Sequence, residues 1–114
     1  MSQSVNRFAV GPVVGEAGDS HVRVFGGLPK GKLSAGEKGL WGRIRWRRAG
    51  EMDWSPPRAF RLNGNFDGSG VVILNQLQPG TRYEFQAGWV NTQEDVALDW
   101  SAVEQGQFLT NQPD

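Results

Sequence analysis

Short apolar runs recur along the chain, and glycine or proline separates most of them. Successive side chains of a strand point to opposite faces of a sheet, so a run in which apolar and polar residues alternate indicates a half-buried strand. Sixteen glycines and six prolines leave no window of about eleven residues with uninterrupted helical spacing. The pattern therefore predicts an all-β protein with seven strands, at residues 8–14, 21–25, 40–48, 58–62, 71–74, 82–90 and 105–110.

Two of these strands alternate clearly enough to predict which side chains form the core. In strand 82–90 the inward face is predicted to consist of Tyr83, Phe85, Ala87 and Trp89. In strand 40–48 the inward residues are predicted to be Leu40, Ile44 and Trp46. The opposite face of that strand is left with Trp41, Arg43, Arg45 and Arg47. Seven strands that each bury one face are typical of a two-sheet antiparallel sandwich.

The length of 114 residues fits one domain spanning 1–114, with 38% hydrophobic and 21% charged residues. Segment 28–39 is polar and rich in glycine, and it is longer than usual hairpin loops, so we expect a mobile loop there. Residues 1–6 and 111–114 lack obvious apolar anchors and are expected to fray.

Charge and cysteine content exclude several classes of protein. Twelve basic and twelve acidic residues give a net charge of zero, so we expect neither a nucleic-acid nor a membrane partner. Val71 to Leu74 is the longest apolar run, far below the ~20 residues that cross a bilayer. No signal peptide is apparent, and the compartment stays open. The absence of cysteine excludes disulfides and thiolate zinc sites.

The most specific motif lies just before strand 82–90 and reads Leu77-Gln78-Pro79-Gly80-Thr81-Arg82-Tyr83. Proline fixes φ and glycine permits a positive φ, so Pro79 and Gly80 predict a chain reversal. Leu77 is then placed to enter the core, and the Tyr83 hydroxyl can return to an upstream backbone group. This arrangement is the tyrosine corner of sandwich domains, built from Leu77, Pro79, Gly80, Thr81 and Tyr83.

With Phe85, Trp100-Ser101 and Phe108-Leu109-Thr110, this motif resembles that of a fibronectin type III domain. The resemblance implies a seven-stranded, immunoglobulin-like β-sandwich. Two further segments resemble the N-terminal domain of PhoD-like alkaline phosphatases, namely Val10-Gly11-Pro12-Val13-Val14-Gly15 and Ser20-His21-Val22-Arg23-Val24-Phe25. In that family the module precedes a metallophosphatase domain, which implies an accessory role for this chain.

Catalytic and metal-binding patterns are weak in this sequence. A phosphatase metal site needs clustered carboxylates and imidazoles, and the chain has His21 as its one histidine, so we expect no catalysis, no metal and no cofactor. His21 itself is interpreted as an exposed residue at a strand end rather than a pH-sensitive contact. The segment 63–68 imitates the start of a calcium loop, but Leu74 stands where a bidentate glutamate is required. A hairpin turn is the better interpretation.

Two aromatic features are candidates for binding. The outward face of strand 40–48 forms a candidate docking surface of Trp41, Arg43, Arg45 and Arg47, together with Glu84 from the neighbouring strand. The alternative is that Glu84 and Gln86 simply pair with the arginines across the sheet. Trp54 and Trp100 each follow an aspartate in Asp-Trp-Ser, and they are either ligand platforms or packing residues over the sandwich edge.

These observations favour a non-catalytic accessory module, the N-terminal domain of a PhoD-like metallophosphatase, which contacts or positions a catalytic domain of the same parent chain or another protein. The alternative is a stand-alone fibronectin type III-like module that binds carbohydrate or protein. An independent enzyme is disfavoured by the missing catalytic residues. In isolation the chain is expected to be a monomer.

Overall fold

A computed structural model describes residues 3–27, 41–62, 69–90 and 97–112. These residues contain nine strands: β1 Gln3–Ser4, β2 Val10–Val14, β3 Val22–Gly27, β4 Trp41–Arg48, β5 Arg58–Arg61, β6 Ser69–Leu74, β7 Arg82–Val90, β8 Leu98–Asp99 and β9 Gln105–Leu109. The seven predicted strands are confirmed as β2 to β7 and β9, and the two-residue strands β1 and β8 are additional. The predicted loop 28–39, Leu40 and the calcium-like segment 63–68 lie outside the described residues.

Two antiparallel sheets form a sandwich. One sheet has three strands in the order β2-β3-β6, and the other has four in the order β5-β4-β7-β9. β4 pairs with β7 in continuous register from Trp41 opposite Val90 to Arg48 opposite Tyr83. The prediction that strand 40–48 lies beside strand 82–90 is therefore confirmed. β1 and β8 add a short parallel pair.

The main core fills the space between the two sheets, as the alternation predicted. Its buried residues are Phe8, Val22, Val24, Ile44, Phe60, Leu62, Val72, Leu74, Leu77, Tyr83, Phe85, Ala87, Trp89 and Phe108. All four inward residues predicted for β7 belong to this set, and so does Ile44 of β4. Trp46 is only partly buried but packs against the same cluster. These aromatic and branched side chains supply most of the apolar area that folding removes from water.

A second, smaller cluster lies on the outer face of the four-stranded sheet. Its buried members are Val5, Val90, Trp100 and Val103, and the partly buried Trp41 and Leu98 pack against them. Trp41 and Val90 face each other across β4 and β7, so the cluster covers this end of the sheet. Two segments that are distant in the sequence, around Val5 and around Trp100, therefore fold over this end of the outward face of β4.

Residues near both ends of the described chain are hydrogen-bonded to the sandwich. The Val5 N–H donates to the carbonyl of Asp99 at 2.9 Å, and Val5 is fully buried, which gives segment 3–6 an apolar anchor. Asn6 and Trp89 exchange two backbone hydrogen bonds, at 2.8 and 2.9 Å. Near the other end, the Asn111 N–H donates to Gly18 at 2.9 Å. Segment 3–6 and Asn111 are therefore hydrogen-bonded parts of the domain.

A glycine on β7 makes the N-terminal attachment possible. A Cβ at Gly88 would lie 2.3 Å from the carbonyl oxygen of Asn6 and 2.6 Å from a methyl of Val5. Both distances are shorter than any normal contact, so residues 5 and 6 can lie on the sheet only where β7 has no side chain.

The described part of the chain contains no helix with the length and apolar character needed to span a bilayer.

Candidate functional site

The arginine–tryptophan stack, which we define as Arg45, Arg47, Trp54 and Trp100, lies on the outer face of the four-stranded sheet. The Arg45 guanidinium carbon lies 4.6 Å from the ring centroid of Trp54 and 4.7 Å from that of Trp100. The Arg47 guanidinium carbon lies 4.0 Å from the Trp54 centroid. These distances are within the range of cation–π attraction, so the two rings and two cations hold one another in place.

The same arginines are also hydrogen-bonded to β7. Arg45 Nε donates to Gln86 Oε1 at 2.9 Å, and Arg47 Nε donates to Glu84 Oε2 at 2.8 Å. Each pair stands directly opposite in the register of β4 and β7. In the ion pair, the Arg47 side chain is 20% exposed and the Glu84 side chain 15%. This is the cross-strand pairing that the sequence analysis gave as the alternative to a docking surface.

Burial changes the electrostatics of this face. Desolvation lowers the pKa of Arg45, and the positive charge of neighbouring Arg47 lowers it further. Arg43, on the same face of β4, is only 6% exposed. Trp100 is buried in the second cluster, which confirms the packing interpretation for this tryptophan. The predicted docking residues are therefore gathered on one face, but their contacts lie within the chain and favour a stabilising role.

The turn before β7 has the geometry of a tyrosine corner. Gly80 adopts a φ of +57°, a conformation that a side chain would strain. Leu77 and Tyr83 are both buried in the main core. The Tyr83 hydroxyl accepts a hydrogen bond from the Gln78 N–H at 2.8 Å. The bond returns from the start of β7 to the backbone upstream and fixes how the chain enters the four-stranded sheet.

Thr110, which follows β9, reinforces the corner; the sequence analysis named it as part of the fibronectin-like motif but did not assign it to the corner. It is 1% exposed, and its hydroxyl donates to the carbonyl of Gln78 at 2.6 Å. The same oxygen accepts the Thr81 N–H at 2.9 Å. The corner thus joins the turn, the start of β7 and the end of β9, which is a structural function.

The outer face of the three-stranded sheet is different, because it exposes an apolar row formed by Val13, Phe25 and Val71. These residues lie opposite one another in register across β2, β3 and β6. Their exposures are 51%, 43% and 46%. Ile73, two residues beyond Val71 on β6, is exposed as well. The alternation of β3, in which Val22 and Val24 point inward, could have identified Phe25 as outward-facing.

The two sides of the sandwich, where the edges of the two sheets meet, differ too. Where β5 approaches β6, Arg58 Nη1 donates to the carbonyl of Ile73 at 2.7 Å. A Cβ at Gly70 of β6 would lie 2.4 Å from the carbonyl oxygen of Arg61, so the backbones nearly touch. On the opposite side, β2 and β9 border an open groove of about 390 Å³, which we call the edge groove. One side is closed by the chain itself, and the other is accessible.

Catalytic chemistry has no visible support in the described part of the chain. Residues 3–27, 41–62, 69–90 and 97–112 contain no group of three His, Cys, Asp or Glu side chains arranged to hold a metal ion. His21 is exposed just before β3, and its carbonyl accepts the Gly18 N–H at 2.9 Å. This is the position expected for a histidine at a strand end.

Comparison with known proteins gives a likeness in structure but not in sequence. The chain matches no protein-family model and no curated protein sequence. The fibronectin type III domain of human fibronectin type III domain containing protein 3 is 15% identical with a TM-score of 0.58, over 99% of this chain and 90% of that one. The fn3 domain of human contactin 1 is 16% identical with a TM-score of 0.54, over 96% and 87% of the two chains.

A third solved structure comes from a different kind of protein. The sensor domain of the anti-sigma factor RsgI4 of Pseudobacteroides cellulosolvens is 14% identical with a TM-score of 0.53, over 88% of this chain and 71% of that one. At such identities the likeness concerns the fold and not the activity. The strand order, the tyrosine corner and these neighbours together establish that the chain has a fibronectin type III-like β-sandwich fold.

Proposed function

We propose that this chain is an accessory module that binds a neighbouring globular domain through the outer face of its three-stranded sheet. The observation that supports this most strongly is the apolar row of Val13, Phe25 and Val71. Soluble proteins seldom leave such a contiguous apolar surface in water unless it contacts a partner. The face is a sheet surface rather than a cleft, and it therefore suits a protein surface better than a small ligand.

The partner surface can be described by its chemistry. It should present an apolar centre to the row and an acidic side chain to Arg23, which is exposed on the same face of β3, two residues before Phe25. Opposite charges at the rim of an interface fix its orientation, while the apolar centre supplies most of the affinity. This location differs from the docking surface predicted at Trp41, Arg43, Arg45, Arg47 and Glu84, whose side chains are engaged within the chain.

A PhoD-like metallophosphatase is the specific parent that we propose. The support for it is the resemblance of segments 10–15 and 20–25 to the N-terminal domain of those enzymes. Under this proposal the phosphatase chemistry belongs to the partner domain, and the present chain positions that domain. The coding region beyond residue 114 is the first place to look for the partner, and a stand-alone binding module remains the competing function.

The docking proposal is tested with the separately expressed neighbouring domain. Val71→Lys puts a charge into the apolar row, and we expect it to weaken association by at least about tenfold. The matched control is Leu109→Lys, which makes the same kind of change at an exposed residue of the four-stranded sheet and should leave the affinity unchanged. Isothermal titration calorimetry measures both.

Two results would contradict this location. Equal affinity of the wild type and Val71→Lys would remove the three-stranded sheet as the docking face. Weakening by Trp41→Ala with Arg45→Glu, in a variant whose folding is intact, would instead restore the surface predicted from the sequence.

A further inference from the structure

The edge groove combines an apolar floor with a neutral rim. Its floor is formed by side chains of the main core and its margin, namely Phe8, Val14, Phe85 and Ala87. At the rim, Arg7 Nη2 and Glu104 Oε1 form an ion pair at 3.2 Å, and Arg7 Nε donates to the Ala102 carbonyl at 2.8 Å. Because the two rim charges neutralise each other, the groove favours an uncharged occupant.

One wall of the groove is the unpaired edge of β9. The Thr110 N–H donates to Thr81, so the backbone of Thr110 points toward β7. Backbone groups alternate in direction along an antiparallel strand, so Phe108 and Gly106 also point toward β7. The N–H and C=O groups of Gln105, Gln107 and Leu109 therefore point away from β7, and Gln105 and Gln107 line the groove. No strand of the described part of the chain lies on that side of β9.

Two of the other strand edges, those of β5 and β2, carry features that discourage pairing with another strand. A third edge, β6, lies against β5 through the hydrogen bond from Arg58 to the Ile73 carbonyl. The edge of β9 has neither kind of protection. β5 has Arg58 and Arg61 and follows two prolines. β2 contains Pro12, which lacks an N–H, and its register with β3 shifts between Val10 and Val13. Charges, prolines and bulges are the usual means of protecting an edge. β9 reads Gln-Gly-Gln-Phe-Leu, without charge or proline.

We propose that the edge groove is a binding site for an extended, uncharged peptide segment, which adds to the four-stranded sheet as a strand beside β9. Its backbone would pair with the exposed groups of Gln105, Gln107 and Leu109. Apolar side chains at every second position of the segment would enter the groove and contact Phe8 and Phe85. The backbone supplies affinity in this mode, and the pocket for alternate side chains supplies selectivity.

A second copy of the chain fits the groove less well than a peptide. Pairing β9 with β9 of another copy would satisfy the same backbone groups. However, Phe108, the large inward side chain of β9, is already buried in its own core and could not fill the groove of the neighbour. A free segment has no such commitment, which is why a peptide is the better occupant. The site lies on a different side of the sandwich from the apolar row, so either proposal can fail alone.

The test uses the intact chain and a blocked heptapeptide that alternates threonine and valine. Two matched peptides carry N-methyl groups, one on its valine amides and the other on its threonine amides. In an extended peptide the valine amides point to one edge and the threonine amides to the other, and only one edge can bond to β9. We therefore expect the parent peptide and one methylated form to bind with similar affinity. The other methylated form should bind at least about tenfold more weakly than the parent. Nuclear magnetic resonance should place the largest amide shifts at Gln105, Gln107 and Leu109. Binding by both methylated forms, or by none of the three peptides, would overturn the proposal.

A pair of protein variants tests the same edge from the other side. Gln107→Pro removes an N–H that points away from β7, and Gln107→Ala shortens the same side chain but keeps that N–H. We expect Gln107→Pro to weaken peptide binding at least about tenfold and Gln107→Ala to change it less than about threefold. Wild-type affinity in a folded Gln107→Pro variant would refute strand addition. Concentration-dependent dimers that Gln107→Pro abolishes, without peptide binding, would make a second copy the occupant and overturn the proposal.

Discussion

The outer faces of the two sheets are built from strands with the same alternating pattern, yet they end in opposite environments. On the four-stranded sheet, Trp54, Trp100 and the segment around Val5 cover much of the face, and they stack on or pack beside the arginines of β4. On the three-stranded sheet, the row of Val13, Phe25 and Val71 faces outward with more than two fifths of each side chain exposed. Alternation thus determines which residues share a face, but not what covers that face.

This comparison indicates that the outer face of the four-stranded sheet stabilises the fold, whereas the outer face of the three-stranded sheet is accessible to a partner. The covered face holds charged and aromatic groups in fixed contact, and such a surface has little left to offer a partner. The bare face contributes less to folding because its apolar side chains remain partly hydrated. Substitutions on the two faces should therefore have very different effects, and the following experiments measure that difference.

Trp100→Ala should give the largest effect. Trp100 belongs to the second cluster and also lies against Arg45, so its removal leaves a cavity and an unsupported guanidinium. We expect a loss of about 3–5 kcal/mol in the free energy of unfolding, as for other buried aromatic residues. Urea denaturation followed by circular dichroism measures it. A loss as small as that of an exposed residue would mean that the second cluster does not stabilise the domain.

Arg45→Met tests the arginine–tryptophan stack with little change in side-chain volume. The variant loses the cation–π interactions with both tryptophan rings and the hydrogen bonds to Gln86. We expect a loss of about 1–2 kcal/mol in the free energy of unfolding, because the stack is partly desolvated. Arg23→Met on the bare face is the matched control and should change the unfolding free energy by less than about 0.5 kcal/mol. Equal losses of unfolding free energy in the two variants would show that the outer faces of the two sheets do not differ in their contribution to stability.

Tyr83→Phe measures how much one hydrogen bond that lies on neither outer face contributes to the free energy of unfolding. The substitution removes the hydroxyl that accepts the Gln78 N–H and leaves the ring in the core. The expected loss is about 0.5–1.5 kcal/mol in the free energy of unfolding. Faster amide exchange at Gln78 would assign the loss to this bond. An unchanged denaturation midpoint together with unchanged exchange would contradict the corner.

Val71→Thr should give the smallest effect, because the side chain already faces water on the bare face. Threonine keeps the branched shape that suits a strand, so we expect a change of less than about 0.5 kcal/mol in the free energy of unfolding. The neighbouring Val72→Thr is the control, since Val72 points into the core and should cost at least about 1 kcal/mol. If the two variants lose the same free energy of unfolding, the apolar row is more shielded from water than its exposed fractions indicate.

Much of this architecture could be predicted from the sequence because strands and turns are local. All seven runs that were predicted as strands form strands, and Pro79-Gly80 predicted the corner before β7. Strands β1 and β8 have two residues each and no alternation that a sequence pattern could show. The burial of Arg43 and Val5 could not be predicted for a further reason. It depends on segments remote in the chain coming to lie over β4 and β7.

The segments that cover β4 and β7 are far apart in the sequence, and this separation affects folding during synthesis. Val5 is synthesised roughly 95 residues before its hydrogen-bond partner Asp99 and its packing neighbour Trp100. At about 5–20 residues per second, translation takes roughly 5–20 s to bridge that interval. Throughout this time Val5 lacks the neighbours that bury it, while the turn between β2 and β3 can already form. The second cluster can therefore close only after Trp100 and Val103 have been synthesised, and Val5 stays exposed until then.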